Sequence, residues 1–409
     1  MKFFNFIIPI IIFFTFGCRN QNSEQYVLMI SFDGFRSDYI DWYETPNIDK
    51  FVSAGVISEG LIPVFVSKTF PNHYSIATGL YVENHGLIGN HFYDPVLNDN
   101  YSLSNRKKVE DPRFYGGEPI WVTAEKNGIK TASYFWVGSE APIMGTYPSK
   151  WKRYEHNFPF ESRIDSVVSW LALPEKERPR LSLLYFHEPD ETGHNKGPKS
   201  KETEQKVMQL DSLFGDLIRK LKVLEVSSRL NIIILSDHGM TEISSDRTID
   251  ISKHIDISNV KQEGSGPYSF LFDIDDSKKE KLVKSLNEIP HLKAYEKINI
   301  PNRYHFKNHH RIKEVLLIAD EGWYIKNQAI SSRSSAGAYI PKGGTHGYDN
   351  QLKSMHALFA ASGPMIKSGL VVPPFENVNI YPLICQILNI PPNEKIDGKV
   401  ENIIHILDI

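Results

Sequence analysis

The chain has 409 residues, 41% of them hydrophobic and 23% charged, with a formal net charge of −3. That length can bury a large core, and the composition excludes a disordered chain. The charge balance offers no polycationic surface, so binding to a nucleic-acid polymer is not expected; a small anionic substrate stays compatible, because a local metal charge outweighs the global sum.

The chain opens on Lys2 and an almost wholly apolar run from Phe3 to Phe16, closed by Gly17-Cys18. The run is too short for a spanning helix, which needs about 20 apolar residues, and residues 1–17 read as a signal peptide. Its Gly-Cys end resembles a bacterial lipoprotein signal, cleaved before Cys18 with lipid added to that thiol. Phe16 stands where that pattern usually has Leu, and a plain secretory signal or an uncleaved anchor is the alternative. Residues 18–25 then form a polar tether. The expected location is outside the cytoplasm, in a bacterial periplasm or at the cell surface, held to a membrane by acyl chains at about 0.8 kcal/mol per buried CH₂. With Cys18 lipidated, Cys385 is the one thiol left and no intrachain disulfide forms. Cys385 falls in an apolar helical pattern and reads as a small core residue.

From residue 26 to residue 409 the chain reads as one catalytic domain. Tyr26 to Phe32 is a continuous apolar run ending at Asp33-Gly34, the mark of a buried parallel strand. A helix starts at Thr45-Pro46-Asn47 and stops at Gly55. Val66-Ser67-Lys68-Thr69-Phe70-Pro71-Asn72-His73 is a loop entering a helix, with Pro71 in the first turn and Thr69 as its expected N-cap. Trp121 to Lys126 (helix), Lys130 to Val137 (strand), Ile164 to Leu173 (helix) and Leu181 to His187 (strand) follow. A long amphipathic helix runs from about Lys201 to Leu224, then come strands at Asn231 to Ser236 and His356 to Ala361, and a helix from Val378 to Leu388. Strands alternating with helices predict a doubly wound, mostly parallel α/β sheet with helices on both faces. The less regular segment 251–337 reads as a small inserted α+β subdomain.

In an open parallel sheet, ligands bind beyond the carboxyl ends of strands. Asp33, Asp190 with His194, and Asp237 with His238 each follow a predicted strand, and His346 lies in the Gly-rich loop Gly343-Gly344-Thr345-His346-Gly347. Singly, each has an ordinary turn or loop reading; together they are six carboxylates and imidazoles of the type that ligate zinc. Six ligands suffice for two metal sites with open positions, and two metals about 4 Å apart clamp both oxygens of an in-line phosphoryl displacement. A threonine hydroxyl needs such a metal to attack. Thr69, at a helix start where anions bind well, is the expected nucleophile; Ser67 is the rival hydroxyl.

These residues resemble the nucleotide pyrophosphatase/phosphodiesterase branch (type I phosphodiesterases) of the alkaline phosphatase superfamily. The resemblance runs from about Tyr26 to Val400 on Ser31-Phe32-Asp33-Gly34, Lys68 to His73, Glu188-Pro189-Asp190 with His194, Ser236 to Met240, and Gly344 to Gly347. It implies an alkaline phosphatase-like fold and two Zn²⁺ per chain. Asp190, His194 and His346 would hold one ion, and Asp33, Asp237, His238 and the Thr69 oxygen the other. It implies a covalent intermediate on Thr69 that water hydrolyses, releasing nucleoside 5′-monophosphates from nucleotide phosphodiester or pyrophosphate bonds. Asn90 matches the residue donating to a non-bridging phosphate oxygen. Phe70 and Tyr154 match an aromatic pair sandwiching a nucleobase, with Tyr185 as a further aromatic, and Lys68 would add positive charge near the phosphate. Trp136-Val137-Gly138-Ser139-Glu140 departs from the usual pattern at Val137 and Glu140. His73, His85 and His91 are read as hydrogen-bonded residues, not metal ligands.

The alternatives on the same scaffold are a phosphomonoesterase and a choline-type lipid-headgroup phosphodiesterase; a sulfatase is disfavoured because no Cys-x-Pro-x-Arg stands at the nucleophile position, and a phosphoethanolamine transferase by the absence of spanning helices. An inactive surface binding protein is disfavoured by the complete ligand set. The sequence does not determine the oligomeric state. For the anchor, a Cys18→Ser variant is expected in the soluble fraction after cell disruption; membrane retention equal to the wild type would contradict lipidation at Cys18.

Overall fold

The computed structural model describes residues 24–327 and 341–409. The leader, Cys18 and most of the tether lie outside the described residues, as does the end of the inserted segment. Eight strands form the central sheet. In chain order they are β1 (Tyr26–Phe32), β2 (Val56–Ser58), β3 (Thr131–Tyr134), β4 (Lys150–Lys152), β5 (Leu181–Phe186), β6 (Leu230–Leu235), β7 (Phe359–Ser362) and β8 (Leu370–Val372). Across the sheet the order is β8-β2-β7-β6-β1-β5-β3-β4, and only β7 runs antiparallel to its neighbours.

Strand β1 is apolar at nearly every position because both its faces are covered. Val27 and Met29 enter one hydrophobic core, whereas Tyr26, Leu28, Ile30 and Phe32 enter the other, on the opposite face. The helix Lys201–Lys222 lays Val207, Leu210, Phe214 and Leu217 on that second face; the terminal helix Ile380–Leu388, which buries Cys385, covers the first. The helices expected from Thr45-Pro46-Asn47 to a stop at Gly55, at 121–126 and at 164–173 are present as Pro46–Ser53, Ile120–Lys126 and Phe160–Leu171. The strand expected from His356 begins at Phe359 instead, since Ala357 makes isolated bridges to Arg36 and Leu61 before the ladder starts. Among the described residues, no helix is long and apolar enough to cross a membrane.

A second, antiparallel sheet of Lys261–Glu263, Tyr268–Phe272, Val315–Ala319 and Leu292–Glu296 carries the helix Asp276–Leu286. Alternation with period two divides its side chains. Phe270, Leu316 and Ile318 join the main core, whereas Leu271, Val315 and Leu317 form a separate core with Leu286 and Tyr348.

This sheet is tied to the rest by one buried ion pair. Arg311 Nε donates to Asp94 Oδ2 at 2.6 Å, and its Nη1 donates to the carbonyls of Gly86 and Phe114 at 2.6 and 2.8 Å. Burial alone would raise the Asp94 carboxyl, but the Leu97 amide and Arg311 outweigh it and hold it at about 2. A depressed folded-state pKa stabilises above the unfolded value near 4 and fades as pH falls toward 2. Arg311→Met leaves that buried carboxylate with the Val96 and Leu97 amides and the 3.3 Å contact to His310 but without its guanidinium, so it is expected to cost about 3 kcal/mol at neutral pH, read as a lower urea midpoint. The gap between variant and wild type should narrow below about pH 4; an unchanged midpoint at pH 7 would refute this role.

Candidate active site

The registers of the central strands bring their carboxyl ends together. Ser31 pairs with Tyr185 on one side and Leu235 on the other, so Asp33, His187 and Ser236-Asp237 leave the sheet at one edge. The backbone then locks the loops: Asp190 N donates to Asp33 O at 3.0 Å. Gly34 has φ +68°, and a Cβ there would lie 2.9 Å from the Asp190 Cα, so glycine is required for the approach. Gly343 has φ +76°, and a Cβ would meet the His194 carbonyl at 2.2 Å; this brings the His346 loop onto the helix Asp190–Lys196.

The six expected ligands converge as two groups, Asp190/His194/His346 and Asp33/Asp237/His238. In each carboxylate one oxygen is left bare. Asp33 Oδ2 accepts from the Tyr185 hydroxyl at 2.6 Å and Asp237 Oδ1 accepts from Gly34 N at 3.1 Å. Asp33 Oδ1, Asp190 Oδ1 and Asp237 Oδ2 are buried without a hydrogen-bond partner. The imidazoles face the same way. Nδ1–H donates to the Gly344 carbonyl in His194, to Ser67 O in His346 and to Gly239 O in His238, at 2.8–2.9 Å. That leaves each neutral ring with a lone pair on Nε2. The Nε2 atoms of His194 and His346 lie 3.0 Å apart, each 3.5 Å from Asp190 Oδ1, and His238 Nε2 is 2.9 Å from Asp237 Oδ2. Lone pairs aimed at one another and at bare carboxylate oxygens repel unless a cation lies among them, so the donor set fits divalent metal ions.

The ionisable groups relieve part of that crowding among themselves: burial opposes a charge on His238, but Asp237 outweighs it and raises the imidazole. Burial and the charges of Asp237 and Asp190 push the Asp33 carboxyl well above its ordinary range. Burial opposes ionisation of Asp237 too, but His238 and His73 outweigh it and hold it well below. His346 is pushed well down by burial and by His238, Lys68 and His194. Burial lowers the Lys68 ammonium to about 8 against the pull of Asp190.

Thr69 is the first residue of the helix Thr69–Thr78, and Lys68, in an extended conformation, is the N-cap. The expected Thr69 cap is therefore corrected: the hydroxyl holds no backbone N–H of its own helix and lies 3.3 Å from His238 Nε2. Ser67 is buried and its hydroxyl donates to Tyr348 O at 2.9 Å, away from the ligand groups. His73 is hydrogen-bonded as expected, with Nδ1–H donating to Thr69 O at 3.0 Å and Nε2 accepting from Ser31 Oγ at 2.8 Å.

Next to these groups opens a cavity of about 370 Å³ lined by Thr69, Phe70, Asn90, Tyr154 and Tyr185, with Trp136 and Glu140. Asn90 Oδ1 accepts from Phe70 N at 3.0 Å, which turns its amide donor outward. Tyr185 is 8% exposed and its hydroxyl is committed to Asp33, so it positions a ligand more than it offers an open wall. Glu140 is paired with Arg106. The cavity also holds His156, His187 and Glu191, which form a third group of potential ligands. Sequence reasoning missed it: His187 does follow a strand and precedes Glu191 by one helical turn, but His156 comes from a distant loop.

Comparison with known proteins agrees with this geometry. Residues 27–349 match the family "Type I phosphodiesterase / nucleotide pyrophosphatase". Ectonucleotide pyrophosphatase/phosphodiesterase family member 3 of Rattus norvegicus is 38% identical over 400 residues, covering 95% of this chain and 45% of that protein. Venom phosphodiesterase CdcPDE of Crotalus durissus collilineatus is 39% identical, covering 93% and 46%. This chain thus spans about half the length of these two relatives. It covers 80% of the bis(5′-adenosyl)-triphosphatase of Mus musculus, which is 38% identical over 381 residues. The structure of murine ectonucleotide pyrophosphatase/phosphodiesterase 5 superposes with a TM-score of 0.86 at 32% identity, covering 94% of this chain and all of that one. An inactive threonine-to-alanine variant of that protein, in complex with AMP, matches equally well. The fold is alkaline phosphatase-like, and the chain belongs to the type I phosphodiesterase/nucleotide pyrophosphatase family.

Proposed function

We propose that the protein is a zinc-dependent hydrolase of nucleotide phosphodiester and pyrophosphate bonds that works through a covalent threonine intermediate and releases nucleoside 5′-monophosphates. The observation that carries the reading is Thr69 Oγ1, free of any cap bond and set beside two groups of bare ligand atoms at the mouth of an aromatic-lined cavity. The nucleotide activities named for the relatives, and the AMP complex of the structural neighbour, support the substrate class.

Asp190, His194 and His346 would hold one zinc ion, and Asp33, Asp237, His238 and Thr69 the other. When bound, the two ions supply the positive charge that lowers the pKa of the Thr69 hydroxyl and of water and neutralises phosphoryl oxygens. Thr69 Oγ1 attacks phosphorus in line with the departing oxygen, giving a nucleotidyl-threonine; water then breaks the phosphorus–Oγ1 bond and regenerates the hydroxyl. Asn90, its Oδ1 fixed by Phe70 N, presents Nδ2 to a non-bridging oxygen where charge builds. The Lys68 ammonium adds charge on the same side. Phe70 and Tyr154, both on the cavity wall, would stack a base between them. His73 bridges Ser31 to the Thr69 carbonyl and thereby fixes the start of the nucleophile's helix. The protein would act outside the cytoplasm of a bacterium, on a lipid anchor at Cys18.

A substrate panel in zinc-containing buffer tests the reading. p-Nitrophenyl thymidine 5′-monophosphate is expected to turn over far faster than p-nitrophenyl phosphate or p-nitrophenyl phosphorylcholine. Preference for the monoester or the choline diester would assign a phosphomonoesterase or headgroup phosphodiesterase instead. Thr69→Ala should lose at least about a thousandfold in kcat while keeping the wild-type zinc content; substantial residual turnover would mean direct attack by water.

A further inference from the structure

We infer that His156, His187 and Glu191 form a third site for a divalent transition-metal cation, on the wall of the same cavity but separate from the two central groups. The inference does not depend on what those groups hold.

The three side chains come from different elements. His187 follows β5, Glu191 is the second residue of the helix Asp190–Lys196, and His156 precedes the helix Phe160–Leu171. Asp190 and His194, four apart on the helix Asp190–Lys196, turn toward His346, whereas Glu191 turns toward the two histidines. His156 Nε2 and His187 Nε2 lie 3.3 and 3.6 Å from Glu191 Oε2. In a tetrahedral zinc site with bonds of about 2.0–2.2 Å, ligand atoms stand about 3.4 Å apart. Both measured edges therefore match a coordination polyhedron, and the second is too long for a hydrogen bond.

The surroundings leave the group in need of a cation. His187 Nδ1 is buried without a hydrogen-bond partner, and Nε2 meets Glu191 Oε2 only at 3.6 Å; in the neutral ring protonated at Nδ1, the Nε2 lone pair is open to a cation. The rings of His156 and His187 are stacked at 4.1 Å, which sends their edges the same way. His156 Nδ1 lies 2.9 Å from the Tyr154 hydroxyl; with Nδ1–H donating to the phenol oxygen, the Nε2 lone pair faces Glu191. Neighbouring cationic side chains are engaged elsewhere. Arg163 donates to the carbonyls of His156, Phe158 and Tyr185, and Lys206 pairs with Glu188. Two imidazole nitrogens and a carboxylate oxygen suit zinc, with a fourth position left toward the cavity.

The test is zinc content. Wild type, His156→Asn and Glu191→Ala are dialysed against the same trace zinc at neutral pH and analysed for zinc per chain by plasma emission. Each variant is expected to hold one ion fewer than the wild type. Equal contents would overturn the site and leave a hydrogen-bonded His–Glu cluster. Both replaced side chains are about half exposed, so neither substitution opens the core; should Glu191→Ala fail to fold, His156→Asn alone decides. Because the reading is a difference from wild type, failure of the two central sites to bind zinc would lower all three values together and would not imitate this result.

Discussion

The structure is built around a repulsion. Three carboxylate oxygens and three imidazole lone pairs are crowded together, with contacts of 2.9–3.5 Å between neighbours, in a site that is buried except on the side of Asp190 and His194. Like-signed groups at that spacing separate unless something holds them. Here the holding is done by their far atoms. Tyr185 and Gly34 occupy the outer oxygens of Asp33 and Asp237, and the carbonyls of Gly344, Ser67 and Gly239 take the Nδ1 protons of the three rings. Five of the six ligands, all but Asp190, are thus fixed from behind with the free atom aimed inward, so little reorganisation is left when a cation arrives.

The parallel sheet supplies what these outer contacts stand on. Aligned registers put Asp33, His187 and Asp237 on one edge, and covering both faces with apolar side chains makes that edge rigid. The helix that begins at Thr69 then needs only one adjustment. Moving the cap position from Thr69 to Lys68 sets the threonine hydroxyl free, because a backbone in extended conformation at Lys68 meets the helix start without a side-chain cap.

Most of this was legible in the sequence, for a physical reason. Continuous apolar runs such as Tyr26 to Phe32 arise when both faces of a strand are covered, and polar residues directly after such runs have one place to go. Asp33, Asp190 and Asp237 were found that way. What the sequence did not reveal depended on side-chain direction or on long-range meetings. Ser67 and Thr69 are both hydroxyls two residues apart, and only the turn of the loop sends one to Tyr348 O and the other to His238. Tyr185 reads as an aromatic wall until its hydroxyl is seen on Asp33. His156 has no neighbour in sequence that hints at Glu191. The strand Phe359–Ser362 starts later than its apolar run because such a run does not separate ladder pairing from the isolated bridges that Ala357 makes to Arg36 and Leu61.

The contact between Gly34 and Asp190 has a wider consequence. The two central ligand groups are joined main chain to main chain, through the Asp190 N–H on the Asp33 carbonyl and a gap that admits only a hydrogen at Gly34. Their separation is therefore a property of the backbone and is indifferent to side-chain changes around the cavity. Phe70, Tyr154, Glu140 and Arg106 stand on other elements and do not share that joint. A scaffold divided this way can exchange the walls of the cavity while the spacing of the two ligand groups stays fixed, like a vice whose jaws are replaceable and whose screw is not.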